Sequence, residues 1–276
     1  MPASIPIKDK SLQRTLTLAR CGGIGVSPPS ACTASTQRGT RVSSGTSPAP
    51  SCAHVPDRAC LRRALRRGAD PNCEGVNAEL KALFLAREGE GGRYRNPQTS
   101  MRVNPGLFES EFTVFAWPEP CVQQLRKFCW GALSRAIAQL SGYSAAEMAE
   151  IEIYSHTWFH VTRKGAWFGV HNHPMASWSG VYCIDPGEGD GGNPDSGGLH
   201  FLNPLQLANM FVDPANNKFR APYSLAGKVY QLRAGQLVLF PSWVAHEVMP
   251  FLGDGTRITV AFNCWFNMRG AQNTPP

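Results

Sequence analysis

The chain has 276 residues, of which 42% are hydrophobic and 10% aromatic, which is enough for one sizeable core or for one domain with a tail. No apolar run is long enough to span a bilayer, so we predict a soluble protein without a membrane partner. The net charge of +7 arises in residues 1–100, which carry 15 Lys and Arg against 7 Asp and Glu, whereas residues 101–276 carry 12 against 13. Because the rest of the chain is not basic, we predict no nucleic-acid partner.

The first 55 residues differ in composition from the rest of the chain. They are rich in Ser, Thr, Pro, Gly and Arg, and Asp9 is their one acidic residue. Such a segment buries too little apolar surface to offset its ordering entropy, so residues 1–55 are predicted to be a disordered tail. The same composition is typical of an organelle transit peptide, which leaves a chloroplast or mitochondrial location open.

Residues 56–100 are predicted to be a basic helix–turn followed by a linker. The stretch "RACLRRALRRGADPNCEG" carries two pairs of arginines, Arg62-Arg63 and Arg66-Arg67, before a turn at Asp70-Pro71. The nine cysteines of the chain are odd in number and form no CxxC pair, which is typical of reduced thiols in an intracellular compartment.

Residues 101–270 are predicted to form one mainly β domain of the α+β class. A helix is expected over 119–141, where apolar residues recur every three or four positions, and Ser144 with Glu147 gives a capping-box pattern for a second, short helix. From residue 151 onward, short apolar runs are separated by Gly, Pro and Asn turns. This density of strands favours a jelly-roll-like barrel with helices packed on one side. The predicted strands are "EIEIYS", "TWFHVT", "SWSGVYCI", "GLHFL", "KVYQL", "QLVLFPSW" and "RITVAFNCWF".

Three histidines form a candidate metal site. His171 and His173 are two residues apart in "FGVHNHP", so on a strand their side chains lie on the same face. His246 follows the apolar run "GQLVLFPSWVA", and in a barrel two strand ends that are distant in sequence can meet at one opening.

Arg257 and Thr259 form a candidate anion site. They are also two residues apart, in "GTRITVAFN", and share a strand face opposite Ile258 and Val260. A guanidinium on the inner face of an apolar barrel requires an anionic partner, and its planar donors suit a carboxylate.

The order of these motifs resembles a known enzyme superfamily. "HNH", "SGVY", "GGLHFLNP", "QLVLFPSWVAHEV" and "RITVAFN" follow one another over residues 155–267, as in the iron(II)- and 2-oxoglutarate-dependent oxygenases. The most similar group is the 2OG-Fe(II) oxygenases with an HxH…H…R pattern. The resemblance implies a double-stranded β-helix with Fe(II) at its opening, and a dioxygenase that oxidises, by default hydroxylates, a substrate with dioxygen while 2-oxoglutarate becomes succinate and CO2.

The resemblance also implies roles for individual residues. His171 and His246 match the two metal histidines, and His173 stands where the most widespread pattern has a carboxylate. Arg257 and Thr259 match the pair that binds the distal carboxylate of 2-oxoglutarate. Two further residues match co-substrate positions, Tyr182 and His160.

Several alternatives remain open at this stage. The third metal ligand is either His173 or a carboxylate, for which Asp185 and the acidic loop with Glu188, Asp190 and Asp195 are candidates, and His200 could face the same cavity. The function could instead be that of a three-histidine cupin-type dioxygenase without 2-oxoglutarate, or of a non-catalytic metal-binding interaction module. No pattern in the sequence defines the substrate or the oligomeric state.

Overall fold

The structure is a computed structural model that describes residues 66–70, 73–97, 106–204, 213–215, 217–219 and 226–269. The predicted tail or transit peptide at residues 1–55 and the first part of the predicted basic helix, up to residue 65, lie outside these ranges. Within them, none of the helices has both the length and the apolar character needed to cross a membrane.

The helices precede most of the sheet in the chain. The helix predicted over 119–141 is confirmed, and it ends where Gly142 adopts a φ of 70°, a left-handed conformation that favours glycine. The predicted capping box is also formed, because Ser144 and Glu147 exchange backbone and side-chain hydrogen bonds. The helices are α1 (Cys73–Gly89), α2 (Pro120–Ser141) and α3 (Ala145–Ala149), with short 3-10 turns at Gly91–Arg93 and Val114–Ala116.

The strands of the described residues pair in an antiparallel manner throughout. The two runs predicted as separate strands between residues 150 and 162 form one continuous strand, β3. The strands are β1 (Arg66–Ala69), β2 (Leu107–Glu109), β3 (Ile151–Thr162), β4 (Phe168–His171), β5 (Trp178–Asp185), β6 (Leu199–Phe201), β7 (Lys228–Tyr230), β8 (Gln236–Pro241), β9 (His246–Val248) and β10 (Arg257–Met268).

The strands form two sheets. A six-stranded major sheet has the order β1-β8-β5-β10-β3-β2, and a four-stranded minor sheet has the order β4-β9-β6-β7. From β3 to β10, consecutive strands lie in opposite sheets, with the exception of β6 and β7, which are both in the minor sheet. The prediction of a mainly β domain is confirmed, and the described residues form mostly antiparallel sheet with few helices.

Residues 66–97 differ from the sequence prediction. Arg66–Ala69 is a strand that pairs with β8, not part of a basic helix, because backbone hydrogen bonding to the sheet outweighs local helix propensity. Helix α1 follows, and its Leu80 and Phe84 are fully buried. This segment therefore belongs to the folded domain and is not a linker.

Two apolar clusters hold the layers together. The larger one packs α1 and α2 against the outer face of the major sheet, and it includes Leu125 and Leu133 of α2 together with Val260 of β10. The smaller one lies between the two sheets and contains Phe201 and Phe240. The helices thus cover one face of the major sheet, and its other face and the minor sheet enclose a cavity. The five cysteines of the described residues are free thiols, as predicted.

Candidate active site

The three predicted histidines converge at one end of the cavity. His171 ends β4 and lies directly opposite His246, the first residue of β9, and their ring centroids are 4.3 Å apart. The ring of His173 is 4.9 Å from that of His171 and 5.1 Å from that of His246. One nitrogen from each ring lies within 4.8 Å of the other two, a spacing at which one metal ion can contact all three.

Backbone carbonyls orient two of these rings. Nδ1 of His171 is 2.7 Å from the carbonyl oxygen of Gly169, and Nδ1 of His246 is 2.9 Å from that of Val244. Because a carbonyl oxygen only accepts, each Nδ1 carries the proton and donates it. Nε2 of both rings is therefore the free, unprotonated nitrogen that a metal ion binds.

Hydrogen bonds to the end of β8 hold His173, which lies beyond the end of β4. Its backbone N–H donates to the carbonyl oxygen of Ser242, 2.9 Å away. The hydroxyl groups of Ser242 and Ser179 are 2.7 Å apart, and Ser179 donates to the side-chain oxygen of Asn263 at 2.8 Å. The His173 loop is thus attached to three strands of the major sheet.

The three imidazoles are neutral at pH 7. Burial, together with the smaller effect of the His171 charge, lowers the pKa of His246 to about 3 and that of His173 to about 4. Burial also lowers the pKa of His171 itself. Neutral imidazole is the form that ligates metal ions, so the cluster is ready to bind a cation without first losing protons.

Arg257 lines the same cavity, as the sequence predicted. It is the first residue of β10, only 4% of its surface is exposed, and burial lowers its pKa. No carboxylate or carbonyl among the described residues accepts a hydrogen bond from its guanidinium. Thr259 lies two residues further along the same strand face, is 2% exposed and also lines the cavity, whose volume is about 470 Å³. A buried cation beside a hydroxyl, without a counter-ion in the part of the chain that the structure describes, fits an anionic ligand such as a dicarboxylate.

Tyr182 corrects one prediction. Its hydroxyl donates to the side-chain oxygen of Asn77 at 2.9 Å, and its ring packs against Phe128 in the helical cluster. Residues on the opposite face of β5 line the cavity instead, among them Ser179 and Val181. The prediction that Tyr182 contacts a co-substrate is therefore wrong, since the side chain points toward the helices.

The alternative ligands named from the sequence also lie elsewhere. Asp185 accepts a hydrogen bond from Lys81 at 2.6 Å, and Glu188, Asp190 and Asp195 do not line the cavity. His200 pairs with Glu247 at 2.8 Å and does not line the cavity either. Within the described residues, the metal-binding group consists of the three histidines alone.

His160 lies in the cavity together with a carboxylate that the sequence analysis missed. Nε2 of His160 is 2.8 Å from Oε2 of Glu109, and the side-chain amide of Asn96 donates to the other carboxylate oxygen at 2.7 Å. His160 is opposite Thr259 in the β3–β10 register. Glu109 belongs to a strand of three residues, which is too short for sequence periodicity to indicate.

Comparison with known proteins agrees with this geometry. Residues 156–263, about two fifths of the chain, match the family model described as "Putative 2OG-Fe(II) oxygenase". The matched region is a 2OG-Fe(II) oxygenase domain. Proteins of this family are oxidoreductases that use Fe(II), 2-oxoglutarate and dioxygen, so the predicted family, enzyme class and cofactors are confirmed. The match does not favour the two alternative functions.

Several solved structures are similar to this chain at low sequence identity. The carbocyclase SnoK from nogalamycin biosynthesis, which is described as non-heme and alpha-ketoglutarate dependent, is 13% identical and has a TM-score of 0.50, with 75% of this chain and 82% of SnoK covered. A prolyl-4-hydroxylase from Pseudomonas putida is 22% identical over 77% of this chain and 100% of its own, with a TM-score of 0.46. HygX from Streptomyces hygroscopicus, solved with nickel, 2-oxoglutarate and hygromycin B, is 11% identical over 73% of this chain and 82% of its own, with a TM-score of 0.42. The chain has no match among the curated proteins.

Proposed function

We propose that the protein is a 2-oxoglutarate-dependent dioxygenase that hydroxylates an organic substrate, with release of succinate and CO2. The observation that carries this proposal is the presence, in one cavity, of three neutral histidines that one metal ion can contact and a buried guanidinium without an acceptor among the described residues. A metal site and a carboxylate site that line one small cavity suit a co-substrate that chelates iron at one end and carries a carboxylate at the other.

The roles of the residues follow from their positions. Nε2 of His171 and of His246 would hold Fe(II) together with His173, and Arg257 with Thr259 would bind the distal carboxylate of 2-oxoglutarate. When bound, Fe(II) and 2-oxoglutarate would activate O2, which is the oxidant: one of its oxygen atoms would enter a substrate C–H bond and the other the succinate formed by decarboxylation of 2-oxoglutarate. The protein contributes position, because strands of the two sheets hold the histidines and Arg257 around one cavity.

We also propose that the fold is a double-stranded β-helix. Two observations support it: the two sheets face each other across the cavity, and from β3 to β10 the chain alternates between them. In such an arrangement β4 and β9 lie side by side in the minor sheet, which accounts for the meeting of His171 and His246.

Anaerobic spectroscopy tests the function. Wild-type protein mixed with Fe(II) and then with 2-oxoglutarate should develop a weak visible charge-transfer band, because the co-substrate chelates the metal. His171→Ala should lose the band, whereas His200→Ala, a histidine outside the cavity, should keep it. A wild-type protein that binds Fe(II) and 2-oxoglutarate without the band, or a band that survives in His171→Ala, would contradict the proposal.

A further inference from the structure

The cavity holds one buried carboxylate that the proposed function does not use. Glu109 is 6% exposed and lines the cavity, and among the described side chains that do so it is the one with a carboxyl group. Its oxygens are occupied by His160 and by Asn96, at 2.8 Å and 2.7 Å. It also lies outside the set of ligand atoms that are within 4.8 Å of one another. Glu109 is therefore in the site without being placed as a metal ligand.

The carboxyl group of Glu109 is ionised at neutral pH. Burial by itself raises its pKa, but the hydrogen bonds from His160 and Asn96 and the charge of His160 together bring the pKa below its usual value. A buried carboxylate of this kind is retained only where neighbouring donors stabilise its charge, and both of its oxygens have such donors.

The charge of Glu109 acts on the metal histidines. The ring of His160 is 5.4 Å from that of Phe168, which in turn is 4.7 Å from that of His171, so these side chains form a continuous layer from the carboxylate to the histidines. Glu109 and the three histidines line the same cavity, so the negative charge of Glu109 favours a metal cation between the histidine rings.

The charges of the site explain why such a carboxylate is needed. Three neutral imidazoles bring no negative charge to a divalent cation, and Arg257 adds a positive charge to the same cavity. We propose that Glu109 supplies, from behind His160, the negative charge that a carboxylate ligand would otherwise provide, and that it thereby sets the metal affinity of the three-histidine site. This inference rests on the proposed function only in that a divalent metal binds at the three histidines.

Metal titration tests the role of Glu109 without any turnover. Co²⁺ is titrated calorimetrically into metal-free protein, and Glu109→Gln should bind it about 10-fold more weakly than wild type, because the substitution removes a negative charge from the cavity that holds the metal. Glu109→Met, a second neutral variant, should show the same loss, and Glu109→Asp, which keeps the charge, should stay close to wild type. Glu88→Gln is the matched control, because Glu88 pairs with Arg163 outside the cavity and its loss should leave the affinity unchanged.

A second experiment, in the His173→Asp variant, distinguishes an effect of the Glu109 charge from an effect of Glu109 on the structure. In His173→Asp the new carboxylate provides the missing charge, so adding Glu109→Gln should then weaken Co²⁺ binding far less than 10-fold. Equal losses in both backgrounds, or wild-type affinity in the neutral Glu109 variants, would overturn the inference while leaving the proposed function in place. A wild-type protein that binds no Co²⁺ at the histidines would overturn both.

Discussion

Arg257 shows how a single residue can be costly for the fold and necessary for the ligand. Its guanidinium is buried at the start of β10 and has no acceptor among the described residues, so the ligand-free protein bears the cost of desolvating it. A bound carboxylate would form charge-assisted hydrogen bonds with the guanidinium, in place of the hydrogen bonds to water that it lost on burial. The residue is therefore expected to oppose stability in the absence of ligand and to support it in its presence.

Replacement of Arg257 by methionine should separate these two effects. Arg257→Met keeps much of the side-chain volume and removes the charge, so the ligand-free protein should become more stable, by about 1–3 kcal/mol. Addition of 2-oxoglutarate with Co²⁺ should stabilise wild type but no longer the variant. Urea unfolding with and without the ligands measures both effects, and the exposed Arg233→Met serves as control. A variant that is less stable than wild type without ligand would show that Arg257 has an internal partner.

The residues of the site were predictable to different degrees. Arg257 and Thr259 were found because both lie on one strand, where residues two apart share a face. Glu109 was not found from the sequence, because its strand of three residues is too short to show periodicity. Its partner His160 is also 51 residues away in the sequence.

At the scale of elements, β5 shows why strand parity can mislead. Both faces of this strand are buried, one under α1 and α2 and the other against the minor sheet. Alternation of polar and apolar residues therefore does not indicate which face meets the cavity. Tyr182 was assigned to the cavity although its face packs on the helices, where its hydroxyl binds Asn77 of α1.

Removal of that hydroxyl should affect the fold and not the site. Tyr182→Phe leaves the side-chain oxygen of Asn77 without its donor in a buried position, so unfolding should become easier by about 1–2 kcal/mol. The dissociation constant of 2-oxoglutarate, measured by titration of the Co²⁺-loaded protein, should stay within about twofold of wild type. Thr259→Val changes a residue that lines the cavity, so this variant should bind 2-oxoglutarate more weakly than wild type. Loss of 2-oxoglutarate affinity in Tyr182→Phe would restore the role that the sequence resemblance implied.

At the scale of the whole molecule, the overall β architecture followed from the strand density, but the front boundary of the domain did not. Helix α1 carries its apolar residues Leu80 and Phe84 on a face that is completed only by contact with the sheet. Sequence periodicity cannot show such long-range packing, and the segment was taken for a linker. The domain consequently reaches forward to at least Arg66, whose strand extends the major sheet.

Burial of the histidines in the cavity makes the stability of the metal-free protein depend on pH. Histidines in an unfolded chain have a pKa of about 6.5, whereas burial lowers the pKa of His173 to about 4 and that of His246 to about 3 in the folded protein. Between these values the unfolded state binds more protons than the folded state, so stability falls as the pH decreases below about 6.5. Each such histidine contributes a slope of at most about 1.4 kcal/mol per pH unit.

Urea midpoints of the metal-free protein at pH 7.5, 6.5 and 5.5 should therefore decrease in that order, with the largest step between the last two. His246→Gln and His173→Gln should each flatten the profile by a similar amount, because the folded-state pKa values of both histidines, about 3 and about 4, lie well below pH 5.5. Midpoints that stay constant from pH 7.5 to 5.5 would show that the three rings are not held neutral by burial, and the metal site would then be more open to solvent than its geometry indicates.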